Sequence, residues 1–200
     1  MSRPIIGIAG GIGSGKSAVA KQLGDLGCVV SDSDRDGRAA LEDPEIKRTL
    51  VSWWGEGILA ADGTTDRRAI ARIVFADAEE RRRLEGLTHP WIEERRKALF
   101  AAAAADVPAL VIDAPLLFEA GLDATCDAVI FVDAPREQRL ARVAAGRGWD
   151  EAEVRRREDS QLALDVKRSG ADYVVWNDGD LSELEAQVRT ILNKILQHSP

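Results

Sequence analysis

The run Gly10-Gly11-Ile12-Gly13-Ser14-Gly15-Lys16-Ser17 constrains this chain more than any other stretch. It fits G-x-x-x-x-G-K-[ST] at every position, with an apolar run at 4–9 before it and a helical pattern at 17–26 after it. A strand that turns through glycines into a helix wraps a phosphate with backbone N–H groups, where the helix dipole favours an anion. Lys16 then reaches the β- and γ-phosphates, and the Ser17 hydroxyl ligates Mg²⁺. The pattern predicts a nucleoside triphosphate site lined by Gly11, Gly13, Ser14, Gly15, Lys16, Ser17 and the backbone of Ala18.

Two further runs, 109–112 and 128–132, are nearly continuous in aliphatic residues, as strands covered on both faces are. Residues 27–31 and 173–176 are weaker strand candidates. Helical patterns separate them: 44–54, with Asp43 as cap and Pro44 at its first position, and a long charged stretch at 77–100. Asp150 with Glu153 and Ser182 with Glu185 read as capping boxes that start helices near 151 and 183. Strand and helix in alternation mean an α/β fold with a five-stranded parallel sheet and right-handed crossovers. The spacing is uneven. Residues 34–108 are too many for one crossover helix and predict a helical insertion, and 139–168 form a second, short and arginine-rich one. The core is then 1–33 with 109–138 and 169–200.

With 27 Lys and Arg against 34 Asp and Glu, the net charge of −7 offers no basic footprint for nucleic acid or a membrane surface. No run approaches the roughly 18 apolar residues of a spanning helix. The two cysteines, Cys28 and Cys126, are far apart in apolar stretches and read as buried thiols in a reducing compartment, which predicts a cytoplasmic protein. No obligate protein partner is implied.

What becomes of the γ-phosphate depends on other residues. Asp113, ending Leu110-Val111-Ile112, stands where a carboxylate helps hold Mg²⁺; a strand-end turn residue is the alternative reading. Val29-Val30-Ser31-Asp32-Ser33-Asp34 puts two carboxylates at the carboxyl end of the second strand, the edge that faces the ligand crevice in an open α/β sheet. A carboxylate there accepts the proton of an attacking hydroxyl; a helix cap before 34–42 is the alternative. A GTPase switch does not fit. Asp34-Arg35-Asp36-Gly37 comes too soon after Lys16, and Asn193-Lys194 is followed by Ile195-Leu196 rather than by x-D.

From this point the chain is similar to the dephospho-CoA kinase family. Asp32-Ser33-Asp34-Arg35-Asp36-Gly37-Arg38 resembles its D-A-D-x-x-A-R signature, and Asp62-Gly63, Arg67 and Phe75 its D-G-x-x-x-R…V-F stretch. Thr88-His89-Pro90 resembles its H-P element, and Pro115-Leu116-Leu117-Phe118-Glu119 its P-L-L-F-E. Arg157 with Gln161 resembles R-x-x-x-Q, and Ala171-Asp172-Tyr173-Val174…Asn177…Gly179 the closing A-D-Y-V…N…G.

The resemblance implies a three-layer P-loop NTPase fold of the nucleoside-monophosphate-kinase type. Residues 34–108 would be the acceptor domain and 139–168 the lid. It implies transfer of the ATP γ-phosphate to the ribose 3′-hydroxyl of dephospho-CoA, with Mg²⁺ as cofactor and these two small molecules as the only partners. Asp32 would be the general base, and Arg38, His89, Pro115, Leu117 and Glu119 would line the acceptor site. Arg139 and Arg142 would reach the ATP phosphates, Arg142 and Lys16 acting in catalysis, and Asn177 would lie near the adenine. Ser33 and Asp36-Gly37 depart from the signature, which predicts that the helix after Asp32 starts late or bends. Gly146, followed by Arg147, stands where many members carry a lid arginine, and Trp176 where a small polar residue is common. The alternatives are another small-molecule or nucleotide kinase, against which P-L-L-F-E argues, or an ATP-binding regulatory module, which has no need of Asp32.

Overall fold

In the computed structural model, which describes residues 3–198, the strands β1 (Ile5–Gly10), β2 (Val29–Asp32), β3 (Leu110–Asp113), β4 (Ala128–Asp133) and β5 (Tyr173–Trp176) form one sheet in the order β2-β3-β1-β4-β5. Every pairing is parallel. The three strongest apolar runs are the three inner strands, flanked on both edges and covered on both faces. The weaker pair are the edges, where fewer positions are buried. Gln187 closes one edge: its side-chain amide pairs with the N–H and C=O of Trp176, both at 2.9 Å.

The helices are α1 (Lys16–Asp25), α2 (Ser33–Glu42), α3 (Pro44–Trp54), α4 (Arg67–Ala76), α5 (Ala78–Ala101), α6 (Arg136–Arg147), α7 (Glu151–Glu158), α8 (Leu164–Ser169) and α9 (Leu181–His198). The chain divides into two compact units, one of the chain up to Asp32 and from Ala103 onward, the other Ser33–Ala102.

In the first unit, Ile6 and Ile8 of β1 meet Val19, Ala20 and Leu23 of α1 and the stripe Leu184, Val188, Ile191, Leu192 and Ile195 of α9. That i, i+4, i+7, i+8 spacing is one helix face, and each large side chain buried there contributes about 1.5–3 kcal/mol. Gly7 faces the other way, where a Cβ would come within 2.8 Å of Leu117 and 2.9 Å of Cys126. Helices on both faces of the sheet complete three layers. Cys28 is buried and its thiol is pushed up to about 11 by that burial, against a backbone hydrogen bond at Ala109. Cys126, expected to be buried as well, is only partly so. Among the described residues no helix is long and apolar enough to cross a membrane.

The second unit is helical around Ala40, Ile46, Leu50, Ile58 and Ile70. Aspartates open α3, α4 and α5. Asp43 accepts from Glu45 and Ile46, Asp66 from Arg68 and Ala69, and Asp77 from Glu79 and Glu80. Two expectations need correction. The helix after Asp32 starts at once, at Ser33, because the polar Asp36 finds a partner: it is 2% exposed and ion-paired to Arg95 at 3.0 Å. The last helix is capped by Asp180, not Ser182. Asp180 accepts from the Glu183 N–H at 2.9 Å, so the helix begins at Leu181 and Ser182 is already inside it.

Candidate active site

The loop between β1 and α1 has the backbone that its glycines allow. Gly13 and Gly15 stand at φ 75° and 99°, in the left-handed region. A Cβ on Gly13 would collide with the Arg139 carbonyl, and one on Gly15 with the Asn177 amide. Gly15 caps α1 without a side chain, and no acidic residue lies in the first turn. No capping side chain therefore covers this helix end, whose dipole field favours an anion. Lys16 curls back over the loop, donating from Nζ to the Gly10 carbonyl at 2.9 Å and the Gly11 carbonyl at 3.4 Å. Ser14 is buried, and Ser17 is exposed one residue into the helix.

Two carboxylates lie beside the loop at the carboxyl edge of the sheet. Asp32 and Asp113 are register partners at the ends of β2 and β3, and Asp113 is level with Ile8, two residues before the phosphate loop begins. Both are partly buried. Side chains of register partners project to the same face, and two neighbouring like charges favour a bound cation. Asp34, expected beside Asp32 on an extended segment, is instead exposed in the first turn of α2.

The loop's carbonyls are held from outside by α6 and by Asn177. Arg139, 6% exposed, donates to the Ile12 carbonyl at 3.1 Å and to Glu158 at 2.6 Å. Arg142 donates to the carbonyl of Asn177 at 2.8 Å, to Gln138 at 3.1 Å and to the Ser14 carbonyl at 3.4 Å. The Asn177 amide donates to that same carbonyl at 2.7 Å. The Ile12 and Ser14 carbonyls are thus held by side chains from outside the loop. Burial opposes the charge of Glu158, but hydrogen bonds from Arg139 and Arg136 hold its carboxyl below the usual range. Arg147 stacks over the Trp149 ring at 4.9 Å, and Arg157 over the same ring at 4.0 Å.

A cavity of about 300 Å³ opens beside the loop, between Gly11, Ile12, Arg136 and Arg139 on one side and residues 158–164 on the other. Of the five-residue run that follows β3, Leu117 is 1% exposed and fills the core. Glu119 is bound to Lys167 at 2.7 Å and accepts from the Leu162 N–H at 3.0 Å. Lys167 and Gln138 carried no signal in the sequence, for neither falls in a motif and both act through the fold. Arg38 and His89 are exposed on α2 and α5 of the helical unit.

A model of the dephospho-CoA kinase family matches residues 4–183. The chain belongs to the dephospho-CoA kinase family. A dephospho-CoA kinase of Corynebacterium efficiens is 41% identical over 194 residues, which are 96% of each chain. A crystal structure from Thermus thermophilus superposes with a TM-score of 0.82 at 36% identity, covering 97% of this chain and 98% of that one. The dephospho-CoA kinase of Campylobacter jejuni shares the fold, with a TM-score of 0.71 at 22% identity over 98% of each chain.

Proposed function

We propose that the chain transfers the γ-phosphate of ATP to the ribose 3′-hydroxyl of dephospho-CoA, giving coenzyme A and ADP. The observation that carries this reading is Asp32, paired in register with Asp113 beside an uncapped phosphate loop. Asp32 accepts the proton of the 3′-hydroxyl as its oxygen bonds to the γ-phosphorus and the bond to the ADP oxygen breaks. Lys16 and the N–H groups of the α1 end stabilise the charge that develops on the phosphoryl oxygens.

The donor set fits Mg²⁺. Ser17 and Asp113 offer oxygen ligands, and the described residues contain no cluster of three or more His, Cys, Asp or Glu that would make an all-protein cage. A cation shared with substrate phosphates needs no more than this. Ser17 and Asp113 would hold it, and it would supply neutralisation of phosphate charge. Arg142, with Arg139, is assigned to the ATP phosphates and Asn177 to the adenine side, in keeping with their contacts to the loop. Acceptor recognition is assigned to Arg38 and His89 of the helical unit. Residues 139–168 act as the lid, excluding water from a transition state that would otherwise pass to it. The reaction is assigned to the cytoplasm, where reduced Cys28 and Cys126 are at home.

The test is ADP release from Mg·ATP with dephospho-CoA, AMP, CMP, shikimate and gluconate offered separately. Dephospho-CoA alone should accelerate it. Acceleration by another acceptor, or by none, overturns the assignment.

A further inference from the structure

Among the described residues Lys167 is, with Asp36, one of the two most deeply buried charges. It is 2% exposed on the short helix α8, and its Nζ reaches Glu119 at 2.7 Å and donates to the Gln161 side chain at 3.1 Å. Glu119 in turn accepts from the Leu162 N–H at 3.0 Å. Two stretches of chain distant in sequence are thus joined at one ammonium group. The first is the run 115–119, separated from Asp113 at the end of β3 by Ala114 alone. The second is 161–164, which lines the cavity beside the phosphate loop opposite Arg136 and Arg139.

The surroundings leave little slack. At one end of α8 a Cβ on Gly11 of the phosphate loop would come within 3.1 Å of Leu164, so the loop and this helix are in contact. At the other end a Cβ on Gly170 would lie 3.0 Å from the Phe118 ring. α8 is therefore wedged between the phosphate loop and the run after β3, with Lys167 in its middle. Burial opposes the charge of Glu119, but hydrogen bonds from Lys167, from its own backbone and from Leu162 hold the carboxyl below its usual range.

An ion pair with one partner buried is a poor way to gain stability alone, because desolvating the charge offsets the attraction. What it gives is a fixed geometry: an ammonium that contacts one carboxylate and one amide oxygen sets the separation of the segments that carry them. We propose that Lys167 and Glu119 form a positioning pair for phosphoryl transfer, holding the strand-end loop of Asp113 in register with the cavity wall at residues 161–164. The proposal rests on the kinase reading and assigns to it two residues that touch neither ATP nor the transferred phosphoryl group.

Lys167→Met alone leaves Glu119 without its ammonium partner, so a second variant is needed. Lys167→Met combined with Glu119→Gln leaves a neutral pair, and the amide oxygen introduced by Glu119→Gln still accepts from the Leu162 N–H. The expected result is that the double variant recovers most of the thermal stability lost by the single one. Its kcat nonetheless stays ~10- to 100-fold below wild type, the cost of a misplacement near 1 Å. Mg·ATP affinity should stay near wild type, and amide exchange should quicken at 115–119 and 161–164 while the central strands keep their protection. A double variant whose kcat lies within about twofold of wild type overturns the proposal, whatever its exchange pattern. So does a loss confined to KM for the acceptor, which would make Glu119 a direct ligand. ADP release into water alone is followed in parallel. If wild type hydrolyses ATP but dephospho-CoA gives no acceleration, the acceptor reading fails, and the pair is still judged on hydrolysis rate and exchange.

Discussion

Asp32 and Lys16 are both proposed to act at the reacting phosphoryl group, yet their losses remove different things. Lys16 is built into the loop through the Gly10 and Gly11 carbonyls, so it shapes the site before any ligand arrives. Asp32 stands at a strand end beside Asp113, outside the phosphate cradle. Asp32→Asn keeps the side-chain volume and removes the basicity. It should lower kcat by ~10²–10⁴-fold while Mg·ATP still binds, measured by steady-state turnover and by nucleotide titration. Lys16→Ala should abolish both. Near-normal turnover in Asp32→Asn would place the base elsewhere. The places of both residues were legible in the sequence, since the glycine-rich pattern sets Lys16 at the start of α1 and the second apolar run sets Asp32 at the end of β2. Arg139 and Arg142 were legible only in part. Their positions followed from the arginine-rich stretch, but their hold on the Ile12, Ser14 and Asn177 carbonyls depends on how α6 crosses the loop.

Elements were readable wherever one local interaction decides them. Asp43 followed by Pro44 names the start of α3, and the carboxylate accepts from the first free N–H groups as that pair requires. The last helix shows how such a reading slips. Ser182 and Glu185 match the capping pattern, but Asp180 and Glu183 do too, and the earlier aspartate takes the cap. Nothing in the spacing alone separates the two registers; the turn out of β5 does. Asp180→Ala should therefore cost about 1 kcal/mol of stability, read as a shift in the denaturant midpoint. Ser182→Ala, inside the first turn, should stay within about 0.5 kcal/mol. The reverse order would return the cap to Ser182. The inner strands were clear for a different reason. Burial on both faces demands continuous apolar sequence, whereas edge strands β2 and β5 carry fewer buried positions and so a fainter pattern.

At the scale of the molecule, net charge proved a coarse guide. A surplus of seven negative charges excludes a broad polyanion-binding face, yet Lys16, Arg139, Arg142 and an uncapped helix end gather in one place within that acidic surface. The helical unit was visible as an interval too long for a crossover, but its internal pairing was not, since Asp36 with Arg95 and Glu42 with Thr65 are contacts across 59 and 23 residues. Such pairs set the acid response of this unit. Glu42 accepts from the Thr65 backbone and hydroxyl and pairs with Lys47. The Lys47 hydrogen bond first, then that from Thr65, lowers its carboxyl from an ordinary 4.5 to about 2. A folded-state value below the unfolded one stabilises the unit at pH above the unfolded value, and that contribution fades as pH falls from 4.5 toward 2. The side chain is 42% exposed, so solvent screening reduces the contribution to ~1 kcal/mol. Trp53, Trp54 and Trp91 lie in this unit and report its unfolding. Urea denaturation followed by their fluorescence should find Glu42→Gln less stable than the parent by ~1 kcal/mol at about pH 7, with the gap narrowing below about pH 4.5 and closing only as pH falls through about 2. A gap that is the same at both ends of that range would mean that the ionised carboxylate of Glu42 adds nothing beyond its hydrogen bonds.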